Sequence, residues 1–289
     1  MRFPCRDPVP NVCEPNAHEM LAPKKSLGQH FLHDENIAHK IVDALPDGSP
    51  IVEIGPGQGA LTKHLAGRGL TVVGIEIDKR AITLLRERFQ DSVTLVPADV
   101  LEVDFHEIRQ RVGARLAIVG NIPYYITSEI LFRLFEFHPD IQSATLMMQL
   151  EVARRLVAER STPEGKRQTK DYGILSVFTR FYTLPKLLFK VSRNSFTPKP
   201  NVDSAVVRLQ FKEQPPDCDR KLFSNVVRAT FGQRRKTLRN GLRSMGVPDK
   251  QLDSLNYDLT KRPENLSVDD FLKLTVSLMP YREHMSLRF

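Results

Sequence analysis

The sequence predicts an α/β chain: a mostly parallel sheet with helices on both faces, followed by a small helical domain. Three observations carry this reading. Short apolar runs alternate with helix-period segments from Asp34 to Met148, the pattern of strand–helix–strand units. A glycine-rich turn, Gly55-Pro56-Gly57-Gln58-Gly59, joins one of those runs to a helix. Past Gln214-Pro215-Pro216-Asp217, a linker by composition, only helix signals remain.

Asp34 can cap a helix whose residues Ile37, Ile41, Val42 and Leu45 share one face, and Pro46 stops it. Residues 51–54 form a short strand that feeds the glycine turn, and residues 60–65 continue as helix until Gly67 and Gly69. Strand, helix and strand follow over 70–77, 80–89 and 93–96. A fourth strand spans 116–119, a helix 127–137 and another strand 144–148. Two β-rich runs, 184–191 and 203–211, flank a Pro-bearing loop and can add antiparallel strands to one sheet edge. Residues 1–20 lack a basic-then-apolar signal layout and read as a disordered tail. The expected domains are therefore 21–211 and 212–289.

Hydrophobic residues make up 41% of the chain, enough for an ordinary core. No apolar stretch approaches the ~18–20 residues of a membrane span. Cys5, Cys13 and Cys218 suit neither a disulfide framework nor a tetrahedral metal set, so no metal is expected and a reducing cytoplasm is the simplest home. The net charge of +8 favours a polyanionic partner.

Three positions suggest a nucleoside-bearing ligand. Small residues at Gly55, Gly57 and Ala60 let a ligand approach the backbone, where a helix N-terminus offers free N–H groups. The spacing also fits the loose dinucleotide fingerprint. Glu76 ends the second strand, where a carboxylate can accept ribose hydroxyls, again for either ligand. Asp99 ends the third strand and suits an adenine amino group, which a dinucleotide fold does not require. After the fourth strand comes Gly120-Asn121-Ile122-Pro123-Tyr124-Tyr125. A side-chain carbonyl from Asn121 and a backbone carbonyl held by Pro123 suit a conjugated amino group. Accepting its two N–H bonds would favour a pyramidal nitrogen with its lone pair free. Tyr124 could stack on the base that carries it.

With these residues in order, the chain resembles the KsgA-type ribosomal RNA adenine dimethyltransferases. The matching segments are Leu27-Gly28-Gln29-His30-Phe31-Leu32, the Gly55 turn, Glu76, Asp99, Asn121–Tyr124, Phe196-Thr197-Pro198, Val202-Asp203-Ser204-Ala205-Val206, and Phe231 through Asn240. The resemblance implies a Rossmann-like class I methyltransferase fold of seven strands with the last hairpin antiparallel. It implies S-adenosylmethionine as cofactor. The implied substrate is two adjacent adenines in the 3′-terminal hairpin of small-subunit ribosomal RNA, modified on a pre-30S particle by a monomer. By matching position, His30, Leu32, Gly55, Glu76, Asp99 and Asn121 would contact the cofactor, with Gly57, Ile77 and Val100 beside them. Asn121, Pro123, Tyr124 and Phe196 would handle the target base. The family often has Asn where this chain has His30.

From Arg228 to Arg243 the chain carries six basic residues, Arg228, Arg234, Arg235, Lys236, Arg239 and Arg243, and no acid. On one helical wheel Arg228, Arg235, Arg239 and Arg243 share a face, which predicts phosphate contact. Other readings stay open. An erythromycin-resistance-type enzyme acting on large-subunit RNA shares the sheet and the Asn-x-Pro-Tyr segment. A DNA adenine methyltransferase usually opens that segment differently. A nicotinamide-dependent oxidoreductase fits only the turn and Glu76. A non-catalytic assembly factor would not need Asn121–Tyr124.

Overall fold

The computed structural model describes residues 21–159 and 171–285; the tail expected over residues 1–20 lies outside them. In chain order the strands are β1 (Phe31–Leu32), β2 (Ile51–Ile54), β3 (Val72–Glu76), β4 (Thr94–Pro97), β5 (Leu116–Asn121), β6 (Ile141–Gln149), β7 (Thr183–Val191), β8 (Phe196–Thr197) and β9 (Ser204–Phe211). The helices are α1 (Glu35–Asp43), α2 (Thr62–Ala66), α3 (Lys79–Phe89), α4 (Phe105–Val112), α5 (Thr127–Glu136), α6 (Leu150–Val157), α7 (Ile174–Tyr182), α8 (Arg220–Gly232), α9 (Leu238–Ser244), α10 (Asp249–Ser254) and α11 (Val268–Leu278).

Seven strands form one sheet in the order β4-β3-β2-β5-β6-β9-β7. The first five are parallel, and β9 runs antiparallel to β6. Every residue of β2 and β3 is buried, as expected of strands covered on both faces. Helix starts follow local chemistry. Asp34, Asp78 and Asp104 each accept a backbone N–H from the first turn of the helix they precede. β1 and β8 form a separate two-stranded antiparallel sheet that pairs Leu32 with Phe196. Two residues per strand are too few for a periodicity signal.

The chain divides into two compact units. Among the described residues, those up to Ala153 join Lys186–Phe211 in the first, and those of Arg154–Pro185 join the segment from Lys212 onward in the second. A boundary at residue 212 therefore captures only part of the second unit. The missing part is held by aromatic packing: the Phe181 ring stacks on Phe223 at 4.5 Å, and Phe178 meets Phe223 edge-on at 5.9 Å. Tyr172 adds a hydroxyl bond to the Leu266 carbonyl at 2.8 Å.

The basic run is not one helix. α8 ends at Gly232 and α9 begins at Leu238. The two cross closely, because a side chain on Gly241 would meet Thr230 Cα at 2.6 Å. A helical wheel drawn through Arg228, Arg235, Arg239 and Arg243 therefore does not describe one face.

In the first unit, Gly120 plays a comparable part. It pairs with Ile54 across β5 and β2, and a Cβ there would fall 2.6 Å from the Ile54 carbonyl oxygen. Strand neighbours cannot separate without loss of ladder bonds. Gly120→Ala should therefore destabilise the protein by about 1–3 kcal/mol, the range of overpacking. Denaturant unfolding checks this, and an unchanged midpoint would show that β5 yields freely.

Candidate functional site

Four strand ends converge on one edge of the sheet. β2 runs into Gly55, β3 ends at Glu76, β4 leads to Asp99 and β5 ends at Asn121. Strand order reverses here, with β3 on one side of β2 and β5 on the other. Loops diverge at such a switch point and leave a crevice. One pocket in it is lined by His30, Leu32, Gly55, Gly57, Glu76, Ile77, Asp99, Val100, Asn121, Pro123 and Tyr124. The fold thus brings together every site residue expected in the first unit except Phe196.

The glycine turn builds the pocket floor. Gly55, Gly57 and Gly59 have φ of +64°, +55° and +85°, a region side chains disfavour. That path turns the Gly57 N–H onto Glu76 Oε2 at 3.0 Å. The other carboxylate oxygen accepts the N–H groups of Ile77 and Asp78 at 2.9 and 2.8 Å. Three donors fix the rotamer of Glu76, and a carboxylate has about four acceptor positions. Capacity for one ligand hydroxyl remains. Asp99 Oδ1 accepts the Leu101 N–H at 2.9 Å, so it does serve its own turn; its second oxygen has no protein partner among the described residues. Ile77 is 52% exposed although apolar.

Asn121 is oriented by the N-terminal wall. Its Nδ2 donates to the His30 carbonyl at 2.8 Å, which leaves Oδ1 as an acceptor without a partner among the described residues. The His30 ring stacks against Tyr124 with centroids 5.6 Å apart. Its Nδ1 lies 2.7 Å from the Pro198 carbonyl, and a carbonyl can only accept, so this nitrogen carries hydrogen. The Tyr124 hydroxyl bonds Ser204 Oγ at 2.7 Å, and burial pushes the phenol above its usual range. The Pro123 carbonyl already accepts the Thr127 hydroxyl at 3.0 Å.

Phe196 departs from expectation. It is 3% exposed and sits in the core with Leu32, Val191 and Val206, because β8 turns it inward opposite Leu32. It does not line the pocket.

The N-terminal wall is tied down by Asp78, whose side chain is fully buried. Arg80 pairs with this carboxylate and holds it well below the usual carboxylate range, and Gln29 and Lys24 each donate to it at 3.2 Å.

Sequence reasoning missed Glu53. It lines the pocket, is 2% exposed and accepts the Thr62 hydroxyl at 2.7 Å. Burial raises its carboxyl from 4.5 to about 8, and the Glu76 charge adds to the effect. A signal existed: a lone acid in a strand that is otherwise all apolar. With Glu53, Glu76 and Asp99 the pocket wall carries three carboxyl groups, and no Lys or Arg among the described residues lines it.

The basic residues expected to meet RNA lie in the second unit and differ among themselves. Arg228 lies over the Phe178 ring at 5.5 Å, and burial lowers its pKa. Arg234 bonds Glu264. Arg239 reaches Asp249 and Asp253, and Arg243 reaches Asp249. Arg235 and Lys236 are exposed in the turn between α8 and α9 and have no acidic partner among the described residues.

The sequence profile of the ribosomal RNA adenine dimethylase family spans residues 20–279. The chain is 41% identical over 277 residues to the ribosomal RNA small subunit methyltransferase A of Bacillus cytotoxicus, covering 90% of this chain and 92% of that one. It is 41% identical over 275 residues to the same-named protein of Geobacillus thermodenitrificans, covering 89% and 91%. Among solved structures, a dimethyladenosine transferase from Plasmodium falciparum matches with a TM-score of 0.74 and 27% identity, covering 89% of this chain and 99% of that one. The 23S rRNA methyltransferase ErmE matches with a TM-score of 0.60 and 29% identity, over 86% of this chain and 99% of that one.

Glu53 makes stability depend on pH in a stated direction. Folded, it keeps its proton up to about 8; an unfolded Glu loses it near 4.5. Between those values the folded state binds more protons, so its contribution is complete below the lower value and is lost as pH rises through the upper one. Melting midpoints across this window should fall with rising pH in the wild type and fall less in Glu53→Gln. Equal slopes would mean that Glu53 is ionised in the folded chain.

Proposed function

The chain belongs to the ribosomal RNA adenine dimethylase family, and from that premise we propose how its pocket serves the reaction. The family's activity, S-adenosylmethionine-dependent dimethylation of adenine in ribosomal RNA, is the activity of this chain. We propose further that it acts as a monomer on immature small-subunit particles in the cytoplasm, at two adjacent adenines of the 3′-terminal hairpin. Relatives named for the small subunit reach 41% identity, against 29% for the 23S enzyme.

One observation carries the cofactor assignment. In a protein of net charge +8, the pocket wall holds three carboxyl groups and, among the described residues, no lysine or arginine. A cationic nucleoside is attracted there, whereas a dinucleotide would bring its pyrophosphate charge against Glu76 and Asp99. This argues against the oxidoreductase reading on chemical grounds. Glu76 would hold one ribose hydroxyl, Asp99 an adenine amino group, and Ile77 and Val100 the apolar face of the ring. Glu53 can lose its proton to match a positive charge brought into its reach. When bound, the cofactor supplies an electrophilic methyl group on sulfonium.

The remaining work is positioning. A target base inside a structured RNA must leave its stack to enter a pocket. Tyr124, braced by His30 and Ser204, offers the replacement stacking surface. Asn121 Oδ1, left open by the bond from Nδ2 to the wall, would accept an N–H of the target amino group. That bond strengthens as the nitrogen becomes pyramidal, so it favours the transition state over the ground state. No tuned general base is required, because the alkylated amine is acidic.

Single-turnover transfer of labelled methyl groups to undermethylated small subunits, with the modified nucleotides mapped, tests this assignment. Asn121→Ala should lower the rate by at least ~100-fold. Tyr124→Phe should keep most of it and Tyr124→Ala should not, since stacking is worth about 1–3 kcal/mol per ring. A folded, cofactor-binding Asn121→Ala protein with a near-normal rate would end the mechanism, and label in large-subunit RNA would end the substrate assignment.

RNA affinity should respond most to the unpaired cations. Arg235→Gln with Lys236→Gln should flatten the dependence of log affinity on log salt by about one unit per lost phosphate contact or somewhat less. Arg239→Gln should change it less, because its charge already serves Asp249 and Asp253. The reverse order would place phosphate on α9.

A further inference from the structure

The packed pair α1 and α2 carries a group of side chains that the methyl transfer does not use. Glu35 and His39 stand one turn apart on α1 and project from the same side of it. His64 comes from α2. Ligand atoms of the three, one from each residue, lie within 4.8 Å of one another. His64 Nε2 is 2.9 Å from Glu35 Oε2, and the His39 and His64 rings have centroids 3.9 Å apart. A surface ion pair explains Glu35 with Lys63 or His64. It does not explain a second imidazole pressed against the first.

Two imidazoles and a carboxylate with ligand atoms this close together make a three-ligand set for a borderline divalent ion, with water completing a tetrahedron. We propose that Glu35, His39 and His64 bind a zinc-class divalent transition-metal ion that clamps α1 to α2. Access is open, since Glu35 and His39 are exposed and His64 is partly so. The second oxygen of Glu35 accepts from Lys63 Nζ. Such an outer partner orients a ligating carboxylate and leaves Oε2 for the ion. The lysine charge also opposes the ion, so affinity should be micromolar rather than that of a closed four-ligand site. Two nitrogen donors of three disfavour magnesium and calcium, which take oxygen ligands. None of the three residues lines the cofactor pocket, so the ion is structural.

The test uses the full chain after chelator treatment. Zinc chloride titrated calorimetrically should bind at one equivalent, and saturating zinc should raise the melting midpoint. Cobalt(II) should give the visible absorption of a tetrahedral nitrogen–oxygen site. Glu35→Gln, His39→Asn and His64→Asn should each weaken zinc binding by at least ~10-fold with S-adenosylmethionine affinity unchanged, which also shows that the variants fold. Magnesium chloride should do none of this. Failure of zinc to saturate a site on the wild-type chain would overturn the proposal. So would equal zinc affinity in Glu35→Gln and wild type, which would put the ion elsewhere.

Discussion

The carboxylate of Glu76 organises the first unit. It is 5% exposed and accepts backbone N–H groups from Gly57, Ile77 and Asp78. Buried carboxylates are costly unless hydrogen-bonded, and charge-assisted bonds to backbone amides are among the stronger ones. Those three amides belong to two different loops, the turn after β2 and the segment after β3. One side chain therefore fixes their separation, and with it the width of the crevice between them. Gly57 can present its N–H only along a left-handed path, and a Cβ there would press on the Phe31 ring at 3.2 Å. The turn, the strand end and the N-terminal wall are thus parts of one arrangement.

That arrangement separates binding from chemistry by sheet position. Acidic groups cluster where β2, β3 and β4 end, and the groups suited to a target base follow β5. Asn121 belongs to both regions because its amide spans them: Nδ2 is committed to the wall at His30, and Oδ1 faces no protein donor among the described residues. Holding Asn121 in place requires that residues 27–32 be in place too, so ligand capture and catalytic geometry are mechanically linked. The Asp78 cluster of Lys24, Gln29 and Arg80 secures the same wall.

Much of this was legible in the sequence, for identifiable reasons. Strand–helix alternation and the glycine turn located the sheet, and Glu76, Asp99 and Asn121 stood at strand ends where a parallel sheet gathers its ligands. Glu53 was hidden because it reads as part of a strand, and its meaning comes from burial. Phe196 was misplaced because motif order does not reveal which way a two-residue strand turns its side chains. The basic run misled in a different way. A wheel drawn through 228–243 assumes continuity, while Gly232 ends α8, and the acids that neutralise Arg239 and Arg243 lie beyond the acid-free window, at Asp249 and Asp253. The second unit was under-drawn because the sequence of α7, five of whose nine residues are buried, does not say which distant aromatic side chains cover it.

The small sheet of β1 and β8 bears on the order in which this protein is made. His30 meets Pro198 across 168 residues of chain, and Ser195 meets Asp34 across 161. A ribosome releases sequence from the N-terminus, so β1 emerges long before its strand partner β8. β2 to β5 can assemble the acidic floor from neighbouring segments while the wall above it still lacks its anchor. Completion of the pocket therefore falls late in synthesis, after residue 198 has left the exit tunnel. Contacts of such long sequence separation are slow to close. A nascent chain cut short before that residue would carry the glycine turn, the acids and Asn121 without the strand that fastens β1 over them.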